Sequence, residues 1–530
     1  MSEETTIFVR RATGLRREYG PFFAIAMPLN TIVGIWIALY TPIAAAFYPG
    51  ANIPLATFLC FIPTVIECLG LVFLAVSMPR AGGTYVWPTR AFNPVYGVST
   101  VVGISMVLTF IAVGLTGLLA PTFIGLFLIM AGIATGNLGW ISVGEYLATN
   151  LGVQIAIGVL VIVIFMIIDM LGPRVVKWFN YAFFICSWVG TVVMLGVLAA
   201  VPKASIPTLW DATWGEGAWN EIIEIANACG WGPAYTTFNF SDTLNAMILL
   251  YWCYVGMSIL GDVAGEVSAP EKSFMVGFVG GACLVGAYFC SFNYLLFAKF
   301  GEFVKQYSLA QLAGSPDMFV INPYFGEGTL SVVFPLAATT NNVLRMIILI
   351  SQMSWLLAIF PALLPAVSRE IFALSFDRFF PKKFTTVSAR FHSPYYCSLL
   401  LGLTSIACVF VAAYAGWIAM AAGGMSLFGL ACFVRGISNL YIPYFRSDIW
   451  RRGYAWTIGG VPAQAIVGLF EAIVPGFCMM FLTASLMSPL SVWVNATALA
   501  IGIALYIVYA EKNRRAGLDV SKIFYEVPPE

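Results

Sequence analysis

Charge is scarce in this chain: Asp, Glu, Lys and Arg make up 10% of its 530 residues. A soluble domain carries about a quarter, so a water-soluble globular fold is excluded. The net charge of +1 exerts no bulk pull on nucleic acid. Histidine occurs once, as His392, in a charged stretch without a partner, which argues against histidine-based catalysis. The eleven cysteines form no CxxC pair. Most, including Cys60, Cys68, Cys186, Cys253 and Cys283, lie in apolar segments, where cysteine packs as a small apolar residue. No disulfide framework, metal site or other cofactor is expected. No GxxxxGK[ST] loop is present, so nothing points to ATP drive. The opening residues, MSEETTIFVRRATGLRRE, have mixed charge and no apolar core, so they do not read as a signal peptide.

What is abundant is apolar sequence: 60% of residues are hydrophobic and the mean hydropathy is +0.89. A membrane-crossing helix needs roughly 20 such residues. Twelve stretches qualify, so an all-α, twelve-helix membrane protein is expected. The first five cover about 20–47, 54–77, 94–120 (with apolar sequence continuing to Ile133), 152–171 and 177–201. The sixth starts at Met247, and the rest cover about 274–298, 343–372, 395–414, 416–437, 461–487 and 492–510. The two long connections are 202–242 and 299–342, and the second is expected to hold short surface helices.

Positive charge sets the orientation. With the N-terminus inside, 22 of the 26 Lys and Arg fall on the cytoplasmic side. Only Lys203, Lys299, Lys305 and Arg345 do not. Such a bias predicts both termini in the cytoplasm and an even helix count.

The stretch Met247–Ser273, MILLYWCYVGMSILGDVAGEVSAPEKS, is the centre of the chain. It enters as an apolar helix. It then carries Gly256, Gly261, Gly265, Asp262 and Glu266 before Pro270. Glycine loosens a helix, and carboxylates at membrane depth face protein or water. A span broken this way marks an unwound helix lining a transport site; the plainer reading is a helix with packing glycines. Helix 1, with Pro28, Gly34 and Pro42, is interrupted similarly. Five helices separate the two, so they run oppositely, as an inverted five-plus-five repeat requires. The expected organisation is a cytoplasmic segment 1–19, a first repeat 20–201 (helices 1–5) and an external loop 202–242. A second repeat 243–437 (helices 6–10), helices 11–12 within 438–510 and a cytoplasmic tail 511–530 follow.

Three short stretches go beyond hydropathy. After helix 2 comes Pro79-Arg80-Ala81-Gly82-Gly83-Thr84-Tyr85. After the helix 6 break comes Ala264-Gly265-Glu266-Val267, then Pro270-Glu271-Lys272. After helix 8 comes Ser368-Arg369-Glu370-Ile371-Phe372-Ala373-Leu374, then Asp377 and Pro381. In order and position these resemble the cytoplasmic signatures P-x-(S/A)-G-G-x-Y, A-(G/E)-E-V-x-x-P-x-(K/R) and S-R-x-x-F-A-L-x-x-D-x-x-x-P. Those belong to the amino acid–polyamine–organocation (APC) transporters of amino acid permease type. The resemblance covers about 20–450. It implies the five-plus-five fold with helices 1 and 6 unwound, and transport of an amino acid or related amine. On charge alone, Arg80, Arg369 and Arg378 are candidate partners for Glu266, Glu370 or Asp377 on the cytoplasmic side. Asp262, Glu266 and Arg369 become gating candidates; the alternative is that the charges only solvate loops.

The resemblance also places the substrate between the breaks. The family pattern G-x-G-(I/V)-F of helix 1 is matched by Ile32-Val33-Gly34-Ile35-Trp36, with Ile32 in place of the first glycine. Ile32 narrows backbone approach, and Asn30 and Thr31 offer polar contacts instead. The helix 6 pattern is matched by Trp252-Cys253-Tyr254-Val255-Gly256-Met257-Ser258. Trp252 takes the place of an aromatic lid, with a packing role as the alternative. Tyr254, Val255 and Gly256 line the break, and Ser258 stands where some relatives carry an acid. The absent acid argues against a dibasic substrate.

For coupling, some relatives carry a lysine in helix 5 where this chain has Cys186. Ser351 and Ser354 of helix 8 are candidates for a sodium site. Glu67 of helix 2 and Glu471 of helix 11 are candidate proton carriers. The coupling ion, H+ or Na+, stays open, as does the choice of antiporter or symporter. The expected function is secondary active transport of amino acids or related amines across the cell membrane, with no enzyme activity. The expected partners are a small-molecule substrate and the lipid bilayer, without nucleic acid. The alternatives are a same-fold transporter of another organic amine or nucleobase-like solute, and a membrane receptor that does not transport.

Overall fold

Asparagine and proline decide where the helices begin. Asn52, Asn93, Asn150, Asn239 and Asn341 each stand at an N-cap, with the side-chain oxygen accepting a first-turn N–H. Pro21, Pro94 and Pro173 open helices, where the missing N–H costs nothing. The computed structural model describes residues 17–33, 36–326, 329–415, 417–484 and 489–527.

Among the described residues, twelve helices are long and apolar enough to cross a membrane. Helix 1 comprises Pro21–Ile32 and Trp36–Phe47; Gly34 and Ile35 between them lie outside the described residues. Helix 2 is Ile53–Ser77, helix 3 Pro94–Thr135, helix 4 Leu151–Met170 and helix 5 Pro173–Ala200. Helix 6 occupies Phe240–Asp262, helix 7 Pro270–Phe300 and helix 8 Asn342–Phe376. Helix 9 covers Tyr395–Tyr414, helix 10 Gly424–Phe445, helix 11 Ala463–Thr483 and helix 12 Val492–Arg515. Strand is confined, among the described residues, to the hairpin Thr457–Ile458 and Val461–Pro462.

Several boundaries differ from the expectation, three of them for clear local reasons. Helix 3 runs 42 residues to Gly136, which caps it at φ +68°. Pro121 within it removes one hydrogen bond without ending the helix. Helix 5 starts at Pro173 rather than 177, because Gly172 and Pro173 supply the cap and first turn. Helix 6 starts at Phe240, seven residues before the apolar run, because Asn239 nucleates its first turn.

The C-terminal end of helix 6 is stitched to its neighbours through backbone. Tyr19 N–H donates to the Glu266 carbonyl (3.0 Å), and Ser268 N–H to the Tyr19 carbonyl (2.8 Å). Gly82 N–H donates to the Asp262 carbonyl (2.7 Å). Gly82 holds φ +71°, which a glycine adopts freely.

Both long connections are helical: Ile206–Trp214, Ala218–Ala228 and Phe303–Ala313 pack over one end of the bundle. Trp219 stacks on Phe303 and Trp210 meets it edge-on at 4.9 Å. Glu221 ties the two connections together. Its carboxylate accepts the N–H groups of Val320 (2.7 Å), Ile321 and Asn322 (2.8 Å each), and the Asn322 amide (2.7 Å). Burial raises this carboxyl, but the donors from Asn322, Ile321 and Val320 outweigh it and hold it below the ordinary value. Its contribution is therefore present above the unfolded value near ~4.3 and lost as pH falls through the lower folded value. Glu221→Ala should cost roughly 1.5 kcal/mol, the low end for bonds to a charged group, because this rim is solvated. Melting curves at neutral and acid pH check this: wild type should lose more stability on acidification than the variant.

Candidate functional site

Between the two interrupted helices lies a cavity, lined from helix 1 by Thr31 and Trp36 and from helix 6 by Trp252, Val255, Gly256, Ser258 and Asp262. Helices 3, 8 and 10 close the other sides. The space amounts to about 840 Å³ with its open mouth included, of which about 80 Å³ admits the centre of a water-sized sphere.

Helix 6 breaks where glycine permits it. The helix Phe240–Tyr251 tightens into a 3-10 turn at Trp252–Tyr254, and Val255 is extended (φ −73°, ψ 132°). Gly256 then takes φ +125°, and helix resumes over Ile259–Asp262. The N–H groups of Gly256, Met257 and Ser258 donate to no acceptor among the described residues. Three free donors before a short helical turn attract an anion. Opposite them, the Trp36 indole donates to the Thr31 carbonyl (3.3 Å).

An aromatic roof covers the cavity. The Trp252 ring meets Trp36 edge-on at 6.2 Å and Tyr40 at 6.5 Å. All three rings are buried. Thr84, Asp262 and Glu370 form the opposite wall. Thr84 Oγ1 contacts Asp262 Oδ1 and Glu370 Oε1.

Of the other candidate substrate residues, Thr31, Val255 and Ser258 are on the wall. Asn30 is not: its amide donates to the Asn180 carbonyl (3.0 Å) and Oδ1 (2.9 Å) of helix 5. Tyr254 turns to helix 2, its hydroxyl donating to the Thr57 carbonyl (3.3 Å). Ile32 and Val33 are buried beside the cavity, with Ile32 packed next to Gly256. Gly34 lies outside the described residues. Ser351 donates to the Ser187 carbonyl (2.6 Å), and Ser354 to the Ile350 carbonyl (2.8 Å), with Cys186 Sγ 3.1 Å from the same hydroxyl.

The three signature stretches converge on buried charge. Arg369 Nε meets Glu266 Oε1 at 2.7 Å and its Nη1 meets Asp169 Oδ1 at 3.3 Å, all three side chains being buried. Two expected partnerships differ. Asp377 pairs with Arg90, which is outside the three arginines expected, and also accepts from Tyr85 Oη at 2.8 Å. Glu370 takes Thr84 rather than an arginine. Arg90 is reached because the short helix Gly83–Ala91 turns it inward.

Glu67 and Glu471 also share a partner. Arg435 of helix 10 contacts Glu67 Oε1 at 2.6 Å and Glu471 Oε1 at 3.1 Å, with Asn439 Nδ2 donating to Glu471 Oε2 (3.0 Å). Sequence reasoning missed Arg435, Asp169 and Thr84. An arginine inside an otherwise apolar span is itself a signal, because it is costly without a buried partner.

Two interrupted helices around a cavity in a twelve-helix bundle define the broken-helix class of membrane transporters. A profile of the amino acid permease family matches residues 19–508, and the chain belongs to that family. It is the family that the three signatures imply. The chain is also similar to the serine/threonine exchanger SteT of Bacillus subtilis (strain 168), at 23% identity over 285 residues. That match covers 53% of this chain and 55% of the relative, so the chain spans about half the length of the curated relative it matches.

Proposed function

We propose that this permease moves an amino acid, or a closely related amine, across the cell membrane by alternating access. The observation that carries the reading is the helix 6 break: Gly256 at φ +125° with three free N–H donors beside a roofed cavity. Those donors suit a carboxylate, and the cavity suits a solute of amino acid size. Serine and threonine are the first candidates, since the SteT relative is named as their exchanger. Uptake of radiolabelled amino acids, serine and threonine first, into vesicles containing the purified protein tests this. Ligand binding without flux would make the protein a receptor.

In this reading helices 1–5 and 6–10 are inverted repeats, and both termini are cytoplasmic. Glu216 is exposed in the connection 202–242. A Glu216→Cys variant made in a Cys229→Ser background should react with a membrane-impermeant thiol reagent in intact cells. Reaction only after lysis would invert the topology.

Trp252 acts as the lid. Trp252→Leu should insert normally and keep its melting temperature within a few degrees, yet bind substrate on the order of tenfold or more weakly. The expected loss follows from opening the Trp36–Trp252–Tyr40 roof over the bound solute. A large fall in melting temperature with unchanged affinity would assign the ring to packing instead.

A further inference from the structure

We propose that Glu370, Thr84 and Asp262 form a one-proton site in the cavity wall, and that this proton is the coupling ion. The coupling role rests on the transport reading above; the proton site itself does not. Thr84 Oγ1 lies within hydrogen-bond reach of Asp262 Oδ1 and is 2.7 Å from Glu370 Oε1. A threonine hydroxyl carries a single hydrogen. It donates to one carboxyl oxygen, so the hydrogen in the other contact comes from a protonated carboxyl.

The surroundings say which one. Asp262 Oδ1 also accepts the Thr84 backbone N–H (2.9 Å), so it receives two donors and is the charged member. Glu370 is then the acid: its O–H donates to Thr84 Oγ1, whose O–H donates to Asp262. Glu370 Oε2 is buried and without a hydrogen-bond partner. A neutral acid's carbonyl oxygen bears that far more cheaply than a carboxylate oxygen.

No described cation competes for the pair. Arg435 reaches the cavity from helix 10 but is held by Glu67 and Glu471. Arg369, adjacent in sequence, faces Glu266 and Asp169, and Arg90 faces Asp377 with Tyr85. Helix 3 offers the hydroxyls of Ser105 and Thr109, and the Pro21–Ile32 half of helix 1 has no ionisable side chain.

The three groups sit on three elements: Thr84 on the short helix after helix 2, Asp262 at the inner end of helix 6, and Glu370 on helix 8. Two of them fill variable positions of the cytoplasmic signatures, and Asp262 stands one turn before Glu266 of the third. When the inner half of helix 6 moves away, the hydroxyl relay breaks and water reaches Glu370. Its O–H bond then releases one proton to water, and reclosing takes one up. No electrons move.

Infrared spectra of the full-length protein in lipid vesicles at neutral pH test the site without a substrate. Wild type should show a buried carboxylic-acid C=O band that Glu370→Gln loses. The glutamine amide can donate to Thr84 in place of the acid, so this variant keeps the contact and the fold. Identical spectra would overturn the proposal. The coupling role is read in the same vesicles, with a mixture of the standard amino acids. An acid-outside gradient of one pH unit should raise wild-type accumulation by up to about tenfold and leave Glu370→Gln unchanged. Gradient-insensitive uptake by wild type would overturn the coupling role. Absence of all uptake, with the band present, would sink the transport reading and leave the proton site standing.

Discussion

Gly256→Ile should abolish substrate binding while the protein still inserts and folds. The backbone at Gly256 holds φ +125°, a region closed to β-branched residues. A Cβ there would lie 2.8 Å from Thr31 Cγ2, and the break would have to shift to admit it. The strain is on the order of 1–3 kcal/mol, and it falls on the segment that presents the free N–H groups. Uptake should drop to the level of empty vesicles, and the thermal shift given by a wild-type ligand should vanish. Gly256→Ala, with the same φ conflict and less bulk, should fall between. Full binding by the isoleucine variant would remove the helix 6 break from the site.

Arg369→Met has the second large expected effect. Arg369 is fully buried between Glu266 and Asp169, and its loss strands both carboxylates. Breaking a buried pair costs ~3–5 kcal/mol, and in the gating role proposed for Arg369 that cost falls on the closed state. The closed population should fall on the order of a hundredfold or more. Val367 lines the cavity two residues before Arg369 on helix 8. A Val367→Cys probe should therefore react faster from the cytoplasmic side in the Arg369→Met background. Glu266→Gln keeps an acceptor for Arg369 and should change transport rate more than affinity. Unchanged probe reactivity together with weakened binding would place Arg369 outside the gate.

Some of this was written locally and some was not. The broken helix 6 is legible because Gly256 and the glycines after it interrupt an apolar run, and the structure puts φ +125° at the first of them. The Glu266–Arg369 contact is legible because both stand in short signatures on one side of the membrane. Asp377 is different. Arg80, Arg90, Arg369 and Arg378 all lie in or beside the same signature stretches, and the packing of the helix Gly83–Ala91 brings Arg90 to it. Asn30 shows the same limit: a polar residue beside a predicted break suggests a ligand contact, yet its amide bridges to Asn180, 150 residues away. Arg435 joins Glu67 and Glu471 from three separate helices, so no spacing along the chain announces the cluster. Patterns confined to one turn or one helix can be read in sequence; a choice among partners waits for the packing.

Helix 3 has one more consequence. Its 42 residues, Pro94–Thr135, carry no charge and extend about 63 Å at 1.5 Å per residue. The hydrocarbon core of a bilayer is only about 30 Å thick. Even steep inclination leaves apolar turns beyond the acyl chains, and the helix Leu138–Thr149 folds back along them with Leu138, Trp140, Val143 and Tyr146 exposed. The same helix supplies Ile104, Ser105 and Leu108 to the cavity, beside its π turn at Val101–Ser105. Lipid thickness and the cavity wall are thus connected through one continuous rod. Lengthening the acyl chains submerges more of that rod and changes its tilt, at fractions of a kcal/mol per ångström of mismatch, so the host membrane becomes a control on the cavity wall.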